Sequence, residues 1–291
     1  MVATPDMVGA GPRKGLVGWL SRTSVQIVLA IVGVLWLIPT FGLLVSSLRS
    51  APDNNATGWW TIFTNTDQLT LEPYANILDT EGIVRSFVNT ALITIPSAVL
   101  LVLIAALAAY AFAFLKFRGR DTLFVVVVGL LVVPLQIALI PIARMFGAIG
   151  LFGTIPGVVL FHVAFGLPFA IFLLRNFFIG IPTELIEAAQ MDGASEWRVF
   201  SRVILPLGTP AIASLLIFQF LWVWNDLLVA LIFAGNDAKP LTVAIRENMR
   251  SFGANIDIIA PGAFIQMAVP LVVFFAFQRY FVQGLLAGSQ K

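Results

Sequence analysis

Long runs of apolar residues constrain this chain more than any other feature. Five of the runs contain no charged residue, and a sixth, residues 210–234, contains a single acid, Asp226. Each run has about 20 residues or more, which is enough to cross a hydrocarbon core of about 30 Å as an α-helix. The charge-free runs are residues 25–45, 90–114, 122–143, 154–174 and 258–278.

The runs predict an all-α integral membrane protein with six transmembrane helices. Helices are expected because every backbone polar group must be satisfied inside lipid, and the alternating pattern of a membrane β-barrel is missing from the sequence. The run that holds Asp226 should still insert, because its apolar neighbours offset a cost of about 2.5–3.5 kcal/mol for a central charge. Alanines between residues 105 and 113 predict close packing of the second helix. Kinks are expected at Pro39, Pro96, Pro134, Pro168 and Pro270.

The composition excludes several other functions. The chain is 59% hydrophobic and only 11% charged, whereas soluble domains carry about 25% charged residues. It has no cysteine and a single histidine, so thiol catalysis and disulfides are excluded and few ligands remain for a metal site. We therefore expect no catalytic residue and no metal ligand. The net charge of +2 gives no indication of nucleic-acid binding.

The distribution of Lys and Arg predicts the orientation. If the N-terminus is inside, 11 of these residues lie on the inner side and 6 on the outer side, so both termini are predicted to be cytoplasmic. The chain then divides into an inner tail (1–24), a first helix (25–45), an outer loop (46–85), a core of five helices (86–283) and an inner tail (284–291). The core contains an inner loop at residues 181–206.

This inner loop is a polar stretch between two apolar runs. Thr183 is predicted to cap one helix, Gly193 to end it, and Ser195 to cap a second helix. Leu205-Pro206 is predicted to close the second helix before the fifth span. Two interpretations stay open at this point, a site where a partner protein docks and an ordinary amphipathic helix at the membrane surface. In the second helix, the residues expected to lie against the membrane core are Trp197, Phe200 and Ile204.

The same loop resembles the EAA signature of ABC importer permeases, E-A-A-x3-G-x9-I-x-L-P. It matches at residues 187–189, at Gly193 and at residues 205–206, and the only departure is Val203 in place of isoleucine. Residues 222–226 and 278–288 resemble the shorter, six-span subunit of maltose-type sugar permeases. Residues 35–60 further resemble the α-glucoside permeases.

The resemblance implies a type I ABC importer permease fold and a set of partners. These are a second homologous permease subunit that completes a heterodimer, a dimer of cytoplasmic ATPase subunits, and an extracytoplasmic sugar-binding protein. ATP and Mg would be held by the ATPase and no cofactor by this chain, which agrees with the absence of a G-x-x-x-x-G-K-[ST] motif. The location implied is the bacterial cytoplasmic membrane. The positions carried over as ATPase-coupling residues are Glu187, Ala188, Ala189, Asp192, Gly193, Ala194, Leu205 and Pro206.

Resemblance also assigns the regions outside the loop. Residues 236–257 match the outer loop that reaches into a sugar-loaded binding protein, and residues 287–291 match a tail that reaches toward the ATPase interface. The function implied is the permease subunit of an ATP-driven oligosaccharide importer, of α-glucoside type. The chain is therefore not expected to be an enzyme.

Polar side chains in the apolar run 210–234, the fifth in chain order, are candidates for the substrate pathway. Alternatively, they hydrogen-bond to the partner permease or to Gln136. His162 is either a packing residue or a proton relay, and Trp59 with Trp60 either anchors the outer membrane interface or stacks on sugar. An ion-coupled secondary transporter of a polar solute is the alternative function, for which Asp226 would be the central charge. The pathway candidates are Gln219, Asn225 and Asp226.

Overall fold

The computed structural model of the chain describes the backbone of residues 16–80, 82–249 and 255–287, and the side chains of residues 23–80, 82–249 and 255–278. The described residues are almost entirely helical. Short 3-10 turns at Trp59–Phe63, Thr66–Gln68, Leu130–Val132 and Asn236–Ala238 join some of the helices. In chain order, the α-helices are α1 (Leu16–Ser47), α2 (Ala51–Ala56), α3 (Glu72–Asp79), α4 (Ile83–Phe114), α5 (Arg120–Gly129), α6 (Leu135–Ala148), α7 (Ile155–Phe178), α8 (Thr183–Met191), α9 (Glu196–Val199), α10 (Leu205–Trp224), α11 (Leu228–Phe233), α12 (Leu241–Asn248) and α13 (Ile256–Ala287).

Within the described ranges, five helical segments are long and apolar enough to cross a membrane: α1, α4, α7, α13 and the unbroken stretch Glu196–Trp224 that contains α9 and α10. The predicted third span is wrong as a single helix. Instead, α5 and α6 meet at a bend of 103°, which confirms the predicted kink at Pro134. Val133 is extended ahead of Pro134, because a residue before proline is disfavoured in the α region. Counting the bent pair as one span gives the predicted total of six.

The core of the fold is formed by α4, α7 and α10. Helices α4 and α7 pack along each other, α10 lies against both, and α13 packs on α10 and α1. A Cβ at Gly166 of α7 would lie 2.4 Å from Leu101 Cδ1 and 3.3 Å from the amide of Gln219. The missing side chain at this position therefore allows the three helices to meet.

Burial separates the central helices from the peripheral ones. The predicted close packing of the alanine stretch is confirmed, since Ala105, Ala106 and Ala109 are buried against α7. The most apolar window of α7 has 61% of its residues buried, whereas that of α1 has 6%. Apolar side chains exposed around a helix that long are suited to lipid. Helix α1 is therefore a peripheral helix in this subunit.

Two further boundaries differ from the prediction. The helix that begins at Leu16 includes part of the predicted inner tail 1–24, and residues 1–15 lie outside the described ones. At the other end, α13 continues to Ala287, which takes the helix into the predicted tail 284–291, and residues 288–291 are again outside the description.

Four of the predicted kink prolines, Pro39, Pro96, Pro168 and Pro270, lie inside helices.

One cation in the loop after α1 has a structural role that its charge alone does not indicate. Arg49 is fully buried below the 3-10 turn that contains Trp59. Its Nη2 donates to the backbone oxygen of Asp53 at 2.9 Å and to the hydroxyl of Thr57 at 2.5 Å. A buried cation that is held by oxygens fixes the loop after α1.

Candidate functional site: the loop between α7 and α10

The inner loop forms two short helices joined by a glycine turn. Helix α8 follows Pro182, and its Glu184 lies in the first turn, where a carboxylate is stabilised by the helix dipole. Thr183 is the first helical residue and not the N-cap that was predicted, and no side chain caps this end. The helix ends where Gly193 adopts a φ of +79°, in the left-handed region that favours glycine. The predicted helix, glycine turn and helix are therefore confirmed.

The second arm of the loop continues directly into the membrane helix. Ser195 is the N-cap residue of α9, as predicted, although its side chain makes no capping hydrogen bond. Residues Phe200–Ile204 form a π-helical turn, after which α10 begins at Leu205. The prediction that Leu205-Pro206 closes this element is wrong. A proline clashes with the carbonyl four residues before it in a regular α-helix, and that carbonyl, of Arg202, lies within the wider π turn.

Apolar side chains hold the loop against the membrane core. Ile186 of α8 is buried, as are Val199, Phe200 and Ile204 of the second arm, and all four pack into one cluster with Phe178 of α7. The predicted inward orientation is thus confirmed for Phe200 and Ile204. It is wrong for Trp197, which is 66% exposed.

The predicted coupling residues divide between the outward and inward faces of the loop. Ala189 and Ala194 are half-buried and pack on the core cluster, and Leu205 does the same at the start of α10. The remaining coupling residues are exposed, so they form the part of the loop that a partner protein could reach. The exposed ones are Glu187, Ala188, Asp192, Gly193 and Pro206.

Large apolar side chains accompany the exposed face of α8. Met191 is 89% exposed and Leu185 is 46% exposed, whereas Ile186 is the buried residue of this fully described helix. With the exposed Trp197, they make an uncovered apolar surface on a polar loop. Such surfaces mark sites of protein association.

Two residues that the sequence analysis did not single out join the loop to α4. The buried Tyr110 of α4 donates its hydroxyl to Glu196 Oε2 at 2.5 Å. Gln190 of α8 donates to the other oxygen, Oε1, of Glu196 at 3.1 Å. A tyrosine within a run of alanines and phenylalanines near the inner end of a membrane helix was the available signal, since buried tyrosine hydroxyls need a partner.

The three pathway candidates differ in their exposure and in their hydrogen-bond partners. Gln219 is buried in α10 beside Gly166, and its Nε2 has no hydrogen-bond partner among the described residues. Asn225 is exposed at the end of α10 and donates to the carbonyl of Leu221 at 2.8 Å. Asp226 lies beyond the end of α10. The proposed pairing with Gln136 is not found, because Gln136 is exposed and Asp226 has other partners.

Asp226 caps a helix, and the prediction that it lies within a continuous span at 210–234 is wrong. Its two carboxylate oxygens accept from the backbone N–H groups of Val229, at 3.2 Å, and Ala230, at 2.9 Å. This satisfies the free N-terminus of α11, which follows the break after Trp224. The carboxylate therefore stabilises the start of α11 directly after the break.

His162 lies beside this cap. It is 1% exposed, and its Nε2 is 3.6 Å from Asp226 Oδ2. A cavity of about 10 Å³ between α4, α7 and α10 is bordered by His162, Asp226, Thr90 and Thr94, which is about the space of one water molecule. His162 therefore has an acidic neighbour from another element, which its own helix did not indicate.

The two rings of the aromatic pair Trp59 and Trp60 differ in their surroundings. Trp59 packs edge-on against Phe41 of α1, with ring centroids 5.9 Å apart, and fills the space beside Gly42. Trp60 is exposed. The first ring is thus structural, and the second is free to meet lipid or solute. Within the described ranges, there is no cluster of three or more His, Cys, Asp or Glu residues that could hold a metal.

Comparisons with known proteins agree with this geometry. Residues 81–287 match the family described as binding-protein-dependent transport system inner membrane component. An osmoprotective compounds uptake permease protein of Synechocystis sp. is 48% identical over 275 residues, which are 93% of this chain and 92% of that protein. An alpha-glucoside transport system permease protein of Rhizobium meliloti is 51% identical over 235 residues, which are 78% of this chain and 62% of that protein.

The fold also has a counterpart among solved structures. A chain of a bacterial ABC transporter involved in the import of the acidic polysaccharide alginate superposes with a TM-score of 0.79 at 21% identity. The superposition covers 93% of the present chain and 100% of the other. The expected permease fold is confirmed by this likeness.

Proposed function

Because the chain belongs to the family of binding-protein-dependent transport system inner membrane components, we propose that it forms half of the pathway of an ATP-driven sugar importer. The family supplies the transport role. The exposed apolar face of the loop between α7 and α10 is the observation that supports ATP, hydrolysed by a separate subunit, as the source of energy. We assign that face to a cytoplasmic ATPase, since the chain has no phosphate-binding motif of its own.

The proposed coupling residues are those on the exposed face of the loop. Glu187 and Asp192 supply charge, Ala188 and Gly193 keep the profile low, and Met191 offers an apolar anchor. Hydrophobic anchors surrounded by polar residues are typical of the centres of protein interfaces. Ala189 and Ala194 act from below, by holding the loop on the core cluster.

The proposed orientation puts this loop in the cytoplasm. Arg175, at the inner end of α7, stacks on the ring of Phe124 at 4.1 Å and donates to the carbonyl of Phe112. These contacts gather the basic segment 116–120 at the same end as the Tyr110–Glu196 contact. An excess of cations on that side fits the positive-inside rule.

The opposite end is assigned to the sugar-binding protein. Asn89, near the start of α4, donates to the carbonyls of Asp237 and Lys239 at 2.9 and 3.0 Å, and thereby anchors the loop after α11. Residues 250–254 of that loop lie outside the described ones. The described part exposes Met249 next to α12.

The substrate class that we propose is a neutral oligosaccharide of the α-glucoside type. Its support is the identity of about half with a permease named for alpha-glucosides. The second permease of the pair would complete the pathway and cover the apolar side chains that α5 and α6 leave exposed in this subunit.

Reconstitution tests this function. Proteoliposomes should contain this chain, its partner permease, the ATPase and the binding protein, and uptake of a labelled α-glucoside should be measured with and without internal ATP. We expect uptake to require ATP and the binding protein, and an unlabelled β-glucoside to compete poorly. Uptake that persists without ATP and follows a proton or sodium gradient would instead establish the ion-coupled alternative.

A further inference from the structure

The contact between Tyr110 and Glu196 joins two parts of the chain that are 86 residues apart. Tyr110 lies near the inner end of α4, and Glu196 is the first residue of α9. Their bond has an ionisable acceptor, which makes it stronger than a bond between neutral groups. The carboxylate also lies in the first turn of a helix, where the dipole favours its charge.

Glu196 is bonded on both of its oxygens, so it bridges three elements. Gln190 holds Oε1 from the last turns of α8, and Tyr110 holds Oε2 from α4. The exposed helix that faces the ATPase is therefore connected to a core membrane helix through one carboxylate. The Gln190–Glu196 bond also joins the residues before Gly193 to those after it, and so closes the glycine turn.

The loop has a second, covalent connection to the membrane core. Residues Glu196–Trp224 form one helical span, so any tilt of the second arm tilts α10 directly. Helix α4 has no such continuity with the loop. It meets the second arm through packing of the Tyr110 ring on Phe200, with centroids 5.2 Å apart, and through the hydroxyl bond.

We propose that the Tyr110–Glu196 hydrogen bond is the positioning contact that makes α4 follow the loop, so that α4 and α10 move together when the ATPase closes. The inference rests on the proposed function and adds specific residues to it. Tyr110 touches neither sugar nor nucleotide and acts through Glu196. Since α4 also packs directly on α10 in the core, loss of the hydroxyl would loosen the inner end of α4 from the loop, so that less of the loop's movement reaches α4 and fewer sugar molecules are transported per ATP.

Tyr110→Phe is the variant that isolates the bond. It keeps the ring, which packs on Phe114 and Phe200 at 5.6 and 5.2 Å, and removes only the hydroxyl. Tyr74→Phe is the matched control, because Tyr74 also shares a hydrogen bond, with the Ser47 hydroxyl at 2.9 Å, but far from the loop. Both variants delete one oxygen from one buried or half-buried tyrosine.

The experiment measures sugar uptake and ATP hydrolysis in the same proteoliposomes of the full complex. We expect Tyr110→Phe to co-purify with its partners, to hydrolyse ATP, and to transport about tenfold fewer sugar molecules per ATP, in line with the loss of one charge-assisted bond. Tyr74→Phe should keep the wild-type ratio. Glu196→Gln, which keeps a weaker acceptor, should fall between the wild type and Tyr110→Phe.

A double variant separates coupling from packing. If the two groups act through one bond, Tyr110→Phe/Glu196→Ala should have the same transport-to-ATP ratio as Glu196→Ala alone. A purely structural role would instead lower assembly and melting temperature in proportion to transport and leave the ratio unchanged. If Tyr110→Phe does not assemble, Glu196→Ala, which removes the acceptor, gives the same readout from the exposed side of the contact.

The inference is overturned if Tyr110→Phe or, where that variant fails to assemble, Glu196→Ala transports as many sugar molecules per ATP as the wild type. Failure of the proposed function looks different, because the wild-type complex itself would then show no ATP-dependent uptake. That result would overturn both proposals, whereas an intact wild type with an unchanged variant would overturn only the role of Tyr110.

Discussion

At the scale of single residues, Gly193 is required by the backbone conformation of the turn and also leaves the surface there without a side chain. Its φ of +79° is a conformation that L side chains rarely adopt, yet a Cβ at this position would meet no atom within 4 Å. A substitution here is therefore resisted by backbone strain and not by crowding. Any clash of an added side chain would be with a docked partner.

Gly193→Ala should therefore destabilise the turn by about 1–2 kcal/mol, with Gly193→Asn less harmful because asparagine tolerates the left-handed region. The melting temperature of the purified chain is the measurement. The matched control is Gly147→Ala, which also adds a methyl group in open space but at a helical φ. Equal losses at positions 193 and 147 would contradict a strain-based explanation.

Asp226 is a second residue whose position decides its interpretation. An acid inside a membrane helix indicates transport chemistry, but this one caps α11 with both oxygens. Its nearest titratable neighbour is His162. The carboxylate thus has a structural task at the start of α11, and its place in the substrate pathway stays a prediction.

Asp226→Ala should remove both capping bonds and cost about 2 kcal/mol, and Asp226→Asn about half as much, since the amide keeps one acceptor. Hydrogen exchange at the amides of Val229 and Ala230 should speed up in the same order. ATP-dependent uptake should survive in Asp226→Asn. Abolished uptake with unchanged exchange in α11 would return Asp226 to the transport pathway.

At the scale of elements, the contact of α4, α7 and α10 determines how tightly the core can close. Gly166 provides the clearance, because Leu101 is fully buried and its Cδ1 is only 2.4 Å from where a Cβ would be placed. Interiors packed to this density respond to a single added methyl group. The π turn at Phe200–Ile204 has a related role, since it lets α9 and α10 continue as one helix past Pro206.

Gly166→Ala should lower the free energy of unfolding by about 1–3 kcal/mol through overpacking. Leu101→Ala alone should also destabilise, because it leaves a cavity. The double variant should be less destabilised than the sum of the two, since the added methyl group occupies part of the space that Leu101 vacates. Gly33→Ala in α1, where nothing lies within 4 Å, is the neutral control, and additive losses would show that the two residues do not share one space.

At the scale of the whole molecule, the sequence predicted the features that depend on local composition. Helix type, the number of spans and the glycine turn follow from apolar runs and from the position of Gly193. The kink at Pro134 was predicted from the proline itself, although its size was not. The continuation through Pro206 and the break before Asp226 were missed, because each depends on how neighbouring helices or a π turn absorb a disrupted hydrogen bond. Tyr110 and Glu196 were missed for the same reason, since their pairing is set by tertiary packing.

Oxidation of two exposed methionines can measure partner binding at the two ends of the molecule separately. Met191 is 89% exposed beside the coupling residues, and Met249 is 56% exposed in the loop after α12. We expect the ATPase to protect Met191 from oxidation by peroxide and to leave Met249 reactive, whereas the sugar-loaded binding protein should do the reverse. Mass spectrometry of the oxidised complex measures both sites at once, and the two residues serve as controls for each other. Protection of both by a single partner would contradict the proposed orientation, because proteins docked on opposite sides of a membrane of about 30 Å cannot cover the same surface.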